Sequence, residues 1–194
     1  MSALAERLEA ALAVPAAQPP LEGDHPDLRA SASTQAAVLI AITDRDEPGV
    51  LLTVRREDMR THAGQVAFPG GRVDPGEDAI LAALREAQEE VLLDPAAVEI
   101  VGAIEPYRTV TGFVVTPVLG VIPPDLPLAP HEHEVADLFE APLAFLLDPA
   151  NQRLQSALLQ GRERHYYEIV WNGRRIWGAT AAMIVNLSRR LQWR

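Results

Sequence analysis

Ile80, Leu84, Ala87 and Val91 recur at helical spacing ahead of an Asp94-Pro95 stop, so Asp78–Val91 predicts an amphipathic helix with one apolar stripe. The runs around it have a different character. Ala36–Thr43, Val50–Arg55, Val98–Ile104 and Phe113–Ile122 are short, apolar and bounded by turn residues, which predicts strands. A one-striped helix set among such strands must lie across a sheet, because neither element can bury its apolar face alone. The expected class is therefore α/β (α+β) with a mixed sheet. Pro117 interrupts the last strand and predicts an edge or a bulge there. A length of 194 residues suits one domain that buries about 70% of its surface without staples.

The rest of the chain fits that frame. Val135–Glu140 reads as a strand and Pro142–Leu147 as a short helix. His165–Trp171 and Arg174–Trp177 form a predicted hairpin around Asn172-Gly173, a dipeptide suited to a type I′ turn. Ala179–Leu191 closes the chain as a helix. At the other end, Leu4, Leu8 and Leu12 define a short amphipathic helix over residues 2–13, followed by a Pro-rich linker. The expected division is an N-terminal helix and linker at 1–32 and a main domain at 33–194.

Composition removes whole classes of function. There is no cysteine, which excludes disulfides, thiol nucleophiles and thiolate-held metals. All 17 basic residues are arginine, so lysine-dependent phosphate loops, Schiff bases and kinase chemistry are absent. A net charge of −10 opposes nucleic acid over most of the surface. No apolar run approaches the ~18 residues that span a bilayer. The expectation is a cytoplasmic protein with no nucleic-acid or membrane partner; a homodimer is left open.

Glu86, Glu89 and Glu90 occupy i, i+3 and i+4 of the 78–91 helix, three carboxylates on one face. Like charges at that spacing destabilise a helix by roughly 0.2–0.5 kcal/mol per pair, and a hard divalent cation would offset this. A Gly-rich turn with Gly70, Gly71 and Gly76 precedes the helix and lets backbone approach a ligand closely.

From Gly71 the chain reads G-x5-E-x7-R-E-U-x-E-E through Glu77, Arg85, Glu86, Glu89 and Glu90, which resembles the Nudix box. Directly upstream, Leu51-Leu52-Thr53-x-Arg55-Arg56-x3-Arg60-x3-Gly64-x3-Phe68-Pro69-Gly70-Gly71 resembles the signature of the coenzyme A pyrophosphatase branch of Nudix hydrolases. Glu134-Val135-x3-Phe139-x2-Pro142-Leu143 and Trp177–Ala181 are similar to that branch as well. Two positions depart from the pattern. Arg56 replaces a small residue, and Leu92 replaces a glycine that supplies a left-handed helix cap.

The resemblance implies a Nudix-type α/β/α sandwich around a mixed β-sheet. It implies an Mg²⁺-dependent pyrophosphohydrolase, with Mn²⁺ as a substitute, acting on coenzyme A or acyl-CoA. The products would be 3′,5′-ADP and 4′-phosphopantetheine or its acyl derivative. Other nucleoside diphosphate derivatives (NADH, ADP-ribose) and a non-catalytic nucleotide-sensing module are the competing readings. By position, Glu86, Glu89, Glu90 and the Gly70 carbonyl are the implied metal ligands. Gly71, Glu77 and Arg85 support the box. Arg55 and Arg60 are the candidates for phosphate recognition, the 3′-phosphate included, because arginine must do here what lysine cannot. Glu134, flanked by His131 and His133, is the candidate general base, with a box glutamate as the alternative.

Overall fold

The structure is a computed structural model and describes residues 1–24, 33–57, 64–159 and 162–192. Arg60 lies outside the described residues. The chain opens with α1 (Ala3–Ala13), then β1 (Thr34–Thr43), β2 (Gly49–Arg55), β3 (Val66–Ala67) and β4 (Gly70–Arg72). The box helix is α2 (Ala79–Val91). After it come β5 (Glu99–Ala103), β6 (Tyr107–Arg108), β7 (Phe113–Ile122), β8 (Val135–Pro142) and α3 (Leu143–Leu147). The chain ends with β9 (Arg153–Leu159), β10 (Arg162–Trp171), β11 (Arg174–Trp177) and α4 (Ala179–Leu191).

Among the described residues the strands form an eight-stranded mixed sheet and a three-stranded sheet ordered β11-β10-β9. The large sheet is built on β1, which runs parallel to β7 in continuous register from Thr34↔Phe113 to Thr43↔Ile122. On its other side β1 meets β2 at one end and β4 at the other, both antiparallel. β1 alternates between two cores. Ala36, Ile40 and Ile42 face the layer made by α1, α3 and α4, while Ala37, Leu39 and Ala41 face α2. The result is a mixed sheet between helical layers, the expected α+β sandwich.

Pro117 does not mark a sheet edge. β7 pairs with β1 on one side and with β5 and β6 on the other. The Pro117 carbonyl accepts from Ile104 N–H at 3.0 Å, just past the end of β5. The N and O of one strand residue point the same way, so the missing donor faces the Ile104 carbonyl, and the β5–β7 ladder ends there before β6 resumes it. The bulge lies in β5 instead, between Ile100 and Gly102. Asn172 and Gly173 both have positive φ (48° and 76°), as the predicted type I′ hairpin turn requires.

The N-terminal segment shares the main core. Leu4, Ala5 and Leu8 of α1 are buried in the same cluster as α4. Buried Asn186 of α4 accepts from the Leu21 N–H at 2.7 Å and donates to its carbonyl at 3.0 Å. Arg189 and Arg190 hold the carbonyls of Pro19, Val14 and Leu12. Among the described residues no helix is long and apolar enough to cross a membrane.

Candidate active site

Asp78 caps α2 by accepting the Leu81 N–H at 2.9 Å, which fixes where the helix starts and hence where Glu86 and Glu90 fall. Ala82, Ala83, Ala87 and Val91 are fully buried against the sheet. The small alanines let α2 lie close to β1 and β4, and this brings the carboxylates onto the Gly70-Gly71 turn. A Cβ on Gly71 would stand 2.4 Å from the Glu86 carboxyl carbon, so only glycine admits that side chain. The Gly70 N–H donates to Glu90 at 3.2 Å.

Arg85 ties this turn to the helix. It donates to Glu77 at 2.9 and 3.2 Å, to the Arg72 carbonyl at 2.9 Å, to Glu86 at 2.9 Å and to Glu89 at 3.3 Å. The hydrogen bonds from Arg85 and from the Asp74 N–H hold the Glu77 carboxyl below its ordinary range, and the Glu77 bond raises Arg85 in turn.

Glu90 is 4% exposed, and burial pushes its carboxyl up to about 7. The Gly70 hydrogen bond and Arg55 pull the other way, while Glu86 and Glu134 add to the rise. Glu86 is also raised, first by burial, with Glu89 and Glu134 adding and Arg85 opposing. Glu89 is 60% exposed at the rim. Glu134 is exposed on the 123–134 loop, whose backbone is strapped to the end of α2: His131 N–H donates to the Glu90 carbonyl at 2.8 Å and Ala129 N–H to the Val91 carbonyl at 3.2 Å. These bonds satisfy carbonyls that a helix end leaves open. His131 and His133 lie ring to ring at 5.3 Å on that loop.

Arg55 ends β2 and places Nη1 3.8 Å from Glu90 Oε1. Its Nε is buried with no hydrogen-bond partner among the described residues. The ladder between β2 and β8 shifts register between Val54 and Arg55, a local bulge of the kind that re-aims a side chain. Sequence spacing gave no sign that Arg55 would face Glu90, because a strand end carries no record of which helix residue lies across from it. Arg56 straps the loop: its N–H donates to the Glu134 carbonyl at 3.2 Å and its guanidinium to the Glu132 carbonyl. The one signal for it is its departure from the small residue of the branch pattern.

The donor set is all oxygen: Glu86, Glu89, Glu90 and neighbouring Glu134, with the Gly71 cradle beside them. Among the described residues no three His, Asp or Glu side chains converge in ion-binding geometry. Arg85 draws Glu86 and Glu89 to one side, while Gly70 and Arg55 hold Glu90. A cluster in which burial and neighbouring carboxylates raise Glu86 and Glu90 still matches a hard divalent cation in charge and in ligand type.

The family profile of the NUDIX domain matches residues 33–163. Proteins of Escherichia coli (strain K12) and Cronobacter sakazakii, each described as an uncharacterized Nudix hydrolase NudL, are 47% and 46% identical over 158 residues, covering 81% of this chain and 82% of theirs. Among solved structures, the crystal structure of a C. elegans Ap4A hydrolase binary complex aligns with a TM-score of 0.49 and 24% identity, over 56% of this chain and 80% of that one. Nudix proteins act on small-molecule nucleotide substrates and generally use divalent ions such as Mg²⁺. The profile match and the identity to the NudL proteins together establish that this chain belongs to the Nudix family and is a hydrolase of pyrophosphate bonds.

Proposed function

We propose that this enzyme hydrolyses the pyrophosphate of coenzyme A and acyl-CoA, with Mg²⁺ as cofactor and Mn²⁺ able to replace it. One observation carries the reading. The segment resembling the coenzyme A branch ends against the box carboxylates, with Arg55 3.8 Å from Glu90 and Gly71 packed on Glu86. Branch signature and catalytic box therefore border a single site.

Glu86, Glu89, Glu90 and the Gly70 carbonyl are the groups that would hold the cation. When bound, it neutralises pyrophosphate oxygens and acidifies water. Glu134, exposed at the rim, accepts the proton of the attacking water as general base. The water oxygen forms a bond to one phosphorus, the anhydride P–O bond breaks, and the leaving phosphate carries away the electron pair. Arg55 faces the scissile diphosphate and stabilises the charge that builds on it. Arg60 belongs to the same signature and is proposed to hold substrate phosphate. Glu77 and Arg85 keep the Gly70-Gly71 turn on α2.

The test is product analysis by mass spectrometry after incubation with CoA, NADH or ADP-ribose and Mg²⁺. The expected result is 3′,5′-ADP and 4′-phosphopantetheine from CoA at the highest kcat/KM of the three. Faster cleavage of NADH or ADP-ribose overturns the substrate; no cleavage of any would place the chain among nucleotide-sensing modules.

A further inference from the structure

At the end of the large sheet, Val54, Gly64, Gln65 and Val66 face Gly173, Arg174, Arg175 and Trp177 across a groove of about 400 Å³. That is in the range of small-molecule clefts. Arg174, Arg175 and Trp177 belong to one wall, with Arg175 and Trp177 on one face of β11 and Arg174 on the other, and both guanidiniums are braced. Arg174 donates to Asp137 at 2.6 Å and lies 4.2 Å from the Phe139 ring centroid. Arg175 is held by Glu168 and by the Tyr166 hydroxyl at 3.1 Å, and lies 4.9 Å from the Trp177 ring centroid. A guanidinium has five N–H donors, so each keeps donors for a further acceptor after engaging its carboxylate.

The pairing of Glu168 with Trp177 and Val170 with Arg175 sets Arg164, Tyr166, Arg175 and Trp177 on one face of the small sheet. Arg164 buries an Nε that has no hydrogen-bond partner among the described residues. In a chain of net charge −10, this hairpin joins positive charge to aromatic surface, which is the chemistry that recognises a phosphate beside a base. The groove also adjoins the carboxylates through one residue. The Arg55 N–H donates to the Gln65 carbonyl at 2.9 Å and its carbonyl accepts from Gly64 at 3.1 Å, while its side chain reaches Glu90.

We propose that this groove receives the 3′-phosphoadenosine end of the substrate, the 3′-phosphate on Arg175 and the base against Trp177. The assignment rests on the coenzyme A reading above. It moves the 3′-phosphate away from Arg55, which faces the scissile diphosphate in that reading.

Two measurements test it. In calorimetry, adenosine 3′,5′-bisphosphate should bind the wild-type protein at least ~10-fold tighter than AMP, as a charge-assisted contact predicts. Arg175→Ala should reduce that preference to about 2-fold. In turnover, the kcat/KM preference for CoA over dephospho-CoA should fall about tenfold in Arg175→Ala, chiefly through KM. If Arg175→Ala does not fold, Arg175→Gln removes the charge, keeps an amide for Glu168, and reads the same preference. A bisphosphate preference that is absent in the wild type, or that survives Arg175→Ala unchanged, overturns the groove assignment. A wild-type protein that leaves CoA intact but shows an Arg175-dependent bisphosphate preference keeps the groove as a 3′-phosphonucleotide site and overturns the coenzyme A reading instead.

Discussion

At Glu90 the stability of the fold and the proposed metal ligation oppose each other. Its folded carboxyl keeps a proton up to about pH 7, while an unfolded glutamate releases it near 4.5. Between those values the folded state binds more protons, so stability falls as pH rises through the window, and the full penalty stands above pH 7. A shift of that size corresponds to about 3 kcal/mol. Glu90→Gln keeps an acceptor for the Gly70 N–H and removes the buried charge. In EDTA it should therefore melt higher than the wild type at pH 8 and at nearly the same temperature at pH 4. Its kcat should fall at least ~10²-fold, because the lost charge serves the transition state. Saturating Mg²⁺ should raise the wild-type melting point at pH 8 and raise that of Glu90→Gln much less. Equal Mg²⁺ stabilisation of the two proteins would remove Glu90 from the metal site. Gly71→Ala acts on the neighbouring carboxylate. Its Cβ would meet the mobile end of Glu86 at 2.4 Å, so the side chain must swing aside. Activity should drop at least ~10-fold, with stability changed by no more than about 1 kcal/mol, as thermal melts and initial rates would show.

At the scale of elements, the end of α2 shows what the missing box glycine does. Leu92 adopts the left-handed conformation itself, at φ 59° and ψ 28°. Its N–H donates to the Gln88 carbonyl at 3.1 Å, and fully buried Leu93 anchors the turn in the α2 core. The helix thus ends as a glycine would end it, and Leu92 carries the steric penalty while 57% exposed. Leu92→Gly should stabilise the protein by about 1 kcal/mol, the relief of left-handed strain less the added freedom of glycine in the unfolded chain. Urea melts read this directly, and a loss of stability would show that Leu92 packs. The same helix explains which elements were legible. In α2, β1, β7 and α4 the apolar pattern follows real burial, so periodicity finds them. β9 escaped because Leu154 and Leu158 are 60% and 78% exposed, so its apolar residues report no buried face. Gly-Gly-Arg of β4 has no strand propensity and exists through its pairing with β1. Of the site, the box glutamates were readable because helical spacing fixes their common face. The approach of Arg55 to Glu90, and of Arg174 and Arg175 to Val54 and Val66, depends on contacts between elements that no local pattern records.

For the whole molecule, the sheet separates two tasks. One face carries α2 and the carboxylates; the other carries α1, α3 and α4 and most of the large buried side chains. The sequence alone leaves open whether the N-terminal helix caps the site or a partner. Leu4, Ala5 and Leu8 pack into the cluster on the face away from α2, and the Ser2 N–H donates to Glu99 at 2.9 Å at the β5 edge. Those contacts make α1 a support. Leu8 is 0% exposed, so Leu8→Ala removes three buried carbons and opens a cavity, at a cost of about 2–5 kcal/mol. For a domain of this size each kcal/mol lowers the melting temperature by about 2–4 °C, so a fall on the order of 10 °C is expected. Because α1 lies on the opposite side of the sheet from Glu86 and Glu90, kcat and KM at 20 °C should remain within about 2-fold of the wild type. A variant that keeps its melting temperature but loses turnover would reverse that conclusion and make α1 part of the site.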